Sequence, residues 1–274
     1  MKTTITLFLI SLTFYCYGQT YDLKDFVETP APKPGSPEWY SLNNYKNFKD
    51  FKTEVVNGKL NISDFDGKTK LEYKLPYGVL WAINEGEIGG ELFYLPDDTT
   101  QKTIYINGKP KMLEDESRGI FAMAAKDEPS KSRLKVKQFV VHGGNVGIDW
   151  FFKFRDSLYF MEGMANMSIN KGAIYKIDMK KDGGSITKVM SFDDAPQSMV
   201  IKDDTIYIAT FKRFYLLNNW KKEMELDDLF WEGLYPNSLA IKDKTTLYTG
   251  LRGGYAKINL KTKQITFYKY NPAH

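Results

Sequence analysis

Cysteine is almost absent from this chain: Cys16 is the only one. Disulfides, thiol nucleophiles and cysteine-type zinc sites are therefore excluded from everything beyond it. Histidine is nearly as scarce, with only His142 and the terminal His274. A multi-histidine metal site is ruled out by count, and a Ser-His-Asp triad would have to use His142. No Gly-x-Ser-x-Gly elbow accompanies Val140-Val141-His142-Gly143-Gly144, so that run reads as a turn between strands. No phosphate loop ending in Gly-Lys-Ser/Thr occurs. Charge of one sign is not concentrated: 38 Lys and Arg against 34 Asp and Glu leave +4, and no basic block exceeds Lys180-Lys181 or Lys221-Lys222. The clustered stripe that nucleic-acid binding needs is missing. Long hydrophobic runs are missing too, since Ile5 to Tyr15 falls short of the about 20 residues of a bilayer span.

That short run instead has the form of an export signal over residues 1–18: Met1-Lys2, the apolar stretch, then Cys16-Tyr17-Gly18 with a small residue at the cleavage point. A lipidated cysteine would be preceded by small residues, whereas Phe14-Tyr15 precede Cys16. Cleavage would leave Gln19 first in a secreted or periplasmic protein. Without disulfides such a protein relies on its core, and the 256 residues from 19 to 274 suffice to bury one.

The strongest positive signal is a repeat. Pro196-Gln197-Ser198-Met199-Val200-Ile201-Lys202-Asp203-Asp204 returns 40 residues later as Pro236-Asn237-Ser238-Leu239-Ala240-Ile241-Lys242-Asp243-Lys244. A third copy lies upstream, where Phe154-Arg155-Asp156-Ser157-Leu158-Tyr159 matches the hairpins running into Ile206-Tyr207 and Leu247-Tyr248. Several short strands in a unit of about 40 to 45 residues mark a β-propeller blade. The paired acids Asp203-Asp204 fall at the hairpin turn and read as turn chemistry, not as a catalytic dyad. The upstream copy carries extra residues within Glu162 to Lys171, which reads as a loop on one face, either a binding loop or drift at a tolerant position.

Elsewhere, residues 19–35 hold Pro30, Pro32 and Pro34 and read as an extended arm rather than a folded element. Ser36-Pro37-Glu38 offers a cap and first turn, and Trp39, Leu42, Tyr45 and Phe48 predict a short helix over about 37–49. From residue 51 the pattern has period two, with Asn57-Gly58 and Asn107-Gly108 as hairpin turns. The expected fold is all-β: a single propeller of five or six blades over 51–270, behind an N-terminal arm and short helix at 19–50, with a tail at 271–274. A strand near 51–62 is expected to close the ring by completing the blade that ends at 263–270.

Candidate chemistry is thin. The loop Asn84 to Glu91 gathers acids between glycines, with Trp81 and Tyr94 flanking, so Glu85 and Glu87 suit a sugar or a cation; a solvated hairpin loop is the plainer reading. Asp64-Phe65-Asp66-Gly67 starts like a calcium loop but lacks the later acids. Blade linkers and hairpin turns share one end of a propeller, so Gln197, Trp231, Tyr235, Asn237 and Arg252 are expected there with Glu162 and Asn166. Trp, Tyr and Arg are enriched at binding hot spots, although aromatics there also pack between blades.

Gly172-Ala173-Ile174-Tyr175-Lys176-Ile177, Tyr235-Pro236-Asn237-Ser238 and Leu251-Arg252-Gly253-Gly254-Tyr255 resemble segments of uncharacterised exported bacterial proteins with propeller-type repeats. The resemblance spans roughly residues 77–270 and implies a fold but no activity. Two functions follow as expectations. One is a binding module for a protein, peptide or glycan, an immunity-type inhibitor of a secreted toxin being a specific version, with no catalytic or metal residues. The other is a lactonase-like hydrolase or lyase holding calcium in the channel, drawing on Glu85, Glu87, Asp149, Glu162 or Asn237.

Overall fold

The computed structural model describes residues 19–43, 49–67, 70–84, 90–98, 100–112, 139–144, 147–166 and 169–272. The arm comes first: β1 (Thr20–Tyr21), a 3-10 turn at Leu23–Asp25, β2 (Phe26–Thr29) and α1 (Pro37–Leu42). Ser36 caps α1 as its sequence predicts, its side chain accepting from the Trp39 N–H at 3.2 Å with Pro37 in the first turn. The helix ends at Leu42, and the expected continuation through Tyr45 and Phe48 lies outside the described residues.

Five sheets follow, each a blade. Blade I is β3 (Phe51–Val56) and β4 (Lys59–Asp64), with β1 on the far edge of β4. Blade II joins β5 (Lys70–Leu75), β6 (Gly78–Asn84), β7 (Gly90–Pro96) and β10 (Phe139–Gly144). The hairpin β8 (Thr103–Ile106) and β9 (Lys109–Met112) leaves blade II and extends blade III, which consists of β11 (Gly147–Phe154), β12 (Ser157–Asn166), β13 (Ile169–Lys180) and β14 (Gly183–Phe192). Blade IV is β15 (Pro196–Lys202), β16 (Thr205–Thr210), β17 (Phe214–Asn218) and β18 (Lys221–Leu226). Blade V is β19 (Ser238–Ile241), β20 (Thr246–Leu251), β21 (Gly254–Asn259) and β22 (Gln264–Tyr270), with β2 on its outer edge. Pairing between strands is antiparallel throughout except where β8 joins β14 in parallel. The meandering sheets of three to six strands and their face-to-face packing make the protein a β-propeller. The Asn57-Gly58 and Asn107-Gly108 turns have positive φ at both residues, the type I′ geometry their sequence predicts. Asp203 also sits at φ 53°, in the tight turn between β15 and β16.

The period-two pattern acquires a more specific meaning in the packing. Ile206 and Ile208 of β16 pack with blade III, whereas Tyr207 and Ala209, alternating with them, pack with blade V. Alternation therefore sorts side chains between two interfaces rather than between core and water. This is why β20 is buried at every position, while the outermost strand β18 is mostly exposed. Separate apolar clusters fill the II–III, III–IV, IV–V and V–I seams.

Ring closure corrects the sequence reading. The strand completing the last blade comes from the arm: β2 pairs antiparallel with β22, Phe26 opposite Tyr270 and Thr29 opposite Phe267. The segment 51–62 forms its own hairpin, and β3 packs on β19 and β20, with the Thr53 N–H donating to Ser238 Oγ at 2.8 Å. A Cβ on Gly250 would collide with the Phe51 carbonyl oxygen, so only glycine allows this approach. Gly250→Ala is expected to cost about 1–3 kcal/mol by overpacking, read as a lower urea midpoint; an unchanged midpoint would mean that β3 does not sit on blade V in this way.

Candidate functional site

The hairpin turns and blade linkers meet at one end of the ring, and backbone hydrogen bonds fix them together. Phe211 N–H donates to Ala195 O at 2.8 Å, Arg252 N–H to Leu234 O at 2.7 Å, and Asn237 N–H to Gly250 O at 2.8 Å. The extra residues of blade III rise from this end. They form no irregular loop: β12 and β13 stay paired from Leu158↔Ile177 out to Asn166↔Ile169. β11 ends its pairing at Gly163 and β14 at Gly172, so the residues beyond project as a two-stranded ribbon. The ribbon is anchored where it passes blade IV. Asn170 Oδ1 accepts from the Ala195 N–H at 2.8 Å, and Gly172 lies so close to Pro196 that a Cβ there would clash with its ring. Met164 is buried while Ile169 at the tip is 39% exposed.

At the root of the ribbon is the most chemically distinctive group in the described structure. His142 Nε2 lies 2.9 Å from Glu162 Oε2, across the II–III seam. Glu162 is buried and also bonds the Tyr175 side chain. Burial, and then the neighbouring Glu162 carboxylate, push the Tyr175 phenol well above its ordinary value. The imidazole meets Phe160 edge-on at 5.1 Å and lies tilted over Tyr175 at 4.7 Å, and those two rings stack at 5.0 Å. The carboxylate acceptor calls for a proton on Nε2 and fixes the orientation of the imidazole. His142 thus stands on a strand, at the bulge after Val140, not in the turn that its Gly-Gly neighbours suggested. The bulge re-aims the side chain toward blade III.

The other expected residues part company. Arg252 grips Asp50 with two hydrogen bonds, Nε–Oδ1 at 2.9 Å and Nη2–Oδ2 at 3.1 Å. It also donates to Asn43 Oδ1 at 3.2 Å, and its guanidinium lies 4.6 Å from the Tyr235 ring centre. It therefore pins helix, first blade and last blade together, with its charge already paired. Tyr235 is partly exposed and held at φ 50°. Trp231 is wholly buried, its Nε1–H donating to Thr210 O at 3.1 Å, so it packs between blades and presents nothing at the mouth. Gln197 is half-buried on β15, and Asn237 is buried just before β19. Asn166 ends the β12 pairing, while Glu85 and Glu87 lie outside the described residues.

One arrangement was missed by sequence reading altogether. Asp194, fully buried, accepts from Thr210 Oγ1 at 2.6 Å, Lys212 N–H at 2.9 Å and Arg213 Nη1 at 3.2 Å. Arg213 follows β16 as Arg252 follows β20. Both turns thus carry an arginine held by an acid, but at positions that do not correspond in the blade alignment, where Arg213 falls on Gly254 and Arg252 on Phe211. Among the described residues no three His, Cys, Asp or Glu side chains gather as a metal site, and no helix is long and apolar enough to cross a membrane.

No family model and no curated protein matches this sequence. Among solved structures, the tricorn protease aligns over 82% of this chain with 10% identity and a TM-score of 0.36; the chain spans only 27% of that protein. A gluconolactonase from Xanthomonas campestris aligns over 82% of this chain and 77% of its own with 11% identity and a TM-score of 0.34. Neither likeness bears on activity, and the propeller assignment stands on the sheet pairing described above.

Proposed function

We propose that this is an exported propeller that binds a protein, peptide or glycan at the end carrying the β12–β13 ribbon. The observation that carries this reading is the ribbon itself: among the described residues only blade III projects one, and it is anchored at Asn170 and Gly172 rather than left loose. A surface fixed in advance loses less ordering entropy on association. Ile169 and Lys171 are its exposed apolar and charged contacts, with Tyr235 on the same end of the ring. Export rests on residues 1–18, and an immunity-type inhibitor of a secreted toxin is one form such a module takes. Replacing residues 163–172 by Asn-Gly shortens the hairpin to the length of those in blades IV and V. The variant is expected to keep the melting midpoint within a few degrees and to lose partner retention. Retention unchanged in a folded variant would refute the reading.

A second reading has one observation behind it, the oriented His142–Glu162 pair. In a hydrolase, Nδ1 would take a proton from water attacking an ester or lactone carbonyl and return it to the departing alkoxide. If so, His142→Gln lowers turnover of 4-nitrophenyl acetate at least 100-fold, within the usual range for a general base. Under the binding reading, wild type and variant both match the buffer rate. The binding reading also expects no rise in melting midpoint with millimolar calcium, whereas a cation bound to the folded state alone raises it by mass action.

A further inference from the structure

Three buried polar atoms at the seam of blades IV and V have no hydrogen-bond partner among the described residues: Ser198 Oγ, Thr249 Oγ1 and Asn237 Nδ2. Ser198 and Thr249 are 0% exposed and Asn237 8%. Strand register places them on one interface. Ser198 stands opposite Ala209, and Thr249 stands between Leu239 and Ala256. Ala209, Leu239 and Ala256 all belong to the cluster that fills the IV–V seam, so the two hydroxyls face it from opposite sides. Asn237 joins them through its backbone bond to Gly250, next to Thr249.

The repeat supplies the control. Ser238 occupies in blade V the place of Ser198 in blade IV, and it too faces the next blade around the ring. There its hydroxyl meets that of Thr53 directly, at 3.1 Å, and accepts the Thr53 N–H. The same residue types thus bond each other at the V–I seam, whereas Ser198 and Thr249 make no hydrogen bond at the IV–V seam. Ala209, Leu239 and Ala256 are their cross-strand neighbours there. Buried polar atoms are rarely left orphaned in native proteins, and three on one interface call for a shared partner.

We propose that Ser198, Thr249 and Asn237 form an internal binding site for a single water molecule. The chemistry selects it: an amide N–H₂ donates only, while each hydroxyl donates or accepts. Water meets all three at once, within the two to four bonds that buried waters make. A cation would be repelled by the amide, and an anion would meet no positive charge among these three groups. The site ties Asn237 to blade IV and thereby holds the linker that displays Tyr235 at the mouth.

The test combines two readouts on the full chain. In water-selective NMR, the Thr249 amide and methyl are expected to show cross-relaxation with a long-lived water. Ser198→Ala and Thr249→Val, near-isosteric changes, are each expected to lower the urea midpoint and to abolish that signal. A wild-type protein without the water signal would overturn the proposal, because the hydroxyls would then bond each other or nothing. Variants that raise the midpoint would overturn it as well, because removing truly orphaned hydroxyls stabilises. Should either variant fail to fold, the wild-type signal alone decides.

Discussion

Deleting residues 19–31 is expected to open the ring and lower the melting midpoint by about 10–20 °C. The arm ties blade I to blade V. β1 pairs with β4 of blade I, and β2 pairs with β22 of blade V. Between them lies an aromatic cluster in which Tyr21 and Phe26 meet Phe51 at 5.2 Å each, and Phe26 meets Tyr255 and Tyr270 at 5.3 Å each. Tyr21 also donates to Asp64 Oδ1 at 2.6 Å, and Asn271 N–H donates to Asp25 O at 2.7 Å. Removing one such ring costs about 3–5 kcal/mol; the deletion removes two, together with β1 and β2, and the cost of ordering the arm that it releases offsets part of that loss. At about 2–4 °C per kcal/mol for a domain of this size, a loss of about 5 kcal/mol yields the expected shift. Phe26→Ala separates packing from strand pairing and is expected to account for about half of the effect. A truncated protein melting with the full-length one would mean that the arm is the loose linker its prolines suggested.

Asp194→Ala is expected to cost about 3–5 kcal/mol, the usual penalty for breaking a buried pair from one side, and about 10 °C in midpoint. The variant leaves the Thr210 hydroxyl, the Lys212 N–H and one arm of Arg213 without their acceptor in a site that water does not reach. Arg213 keeps Asp227 at 2.7 Å, so its charge is not wholly stranded, which places the expectation at the lower end of the range. Asp194→Asn retains one acceptor oxygen and should lose less. Equal melting of all three proteins would show that the network is not formed.

The repeated blades III to V are legible in the sequence; the exchange of β8–β9 into blade III, the return of β10 to blade II and the closure are not, for a physical reason. Blade register rests on local signals: the Asn-Gly turns, the Asp203 turn and the 40-residue return of Pro-x-Ser before an inner strand. Closure rests on Phe26 meeting Tyr270 across nearly the whole chain, and nothing local to β2 announces that partner. Pro30, Pro32 and Pro34 follow β2 and colour the composition of a segment whose first part is structured. The same limit governs the site. Glu162 reads in the sequence as a mouth residue; it stands buried at the root of the ribbon, and its pairing with His142 depends on a bulge in another blade. Arg252 and Trp231 were drawn by residue type, and both are committed to internal partners. The inserted residues were located correctly but expected as a loop, because strand extension differs from a loop only in cross-strand pairing.

The most direct measurement is a side-by-side affinity capture from the cell envelope, using residues 19–274 and the same chain with residues 163–172 replaced by Asn-Gly, both shown by melting to be folded. A species retained by the intact protein and absent from the shortened one, with direct binding confirmed by titration of the purified pair, is the predicted result. Identical retention by the two proteins, or retention by neither, would contradict the claim that this end of the propeller is a binding surface.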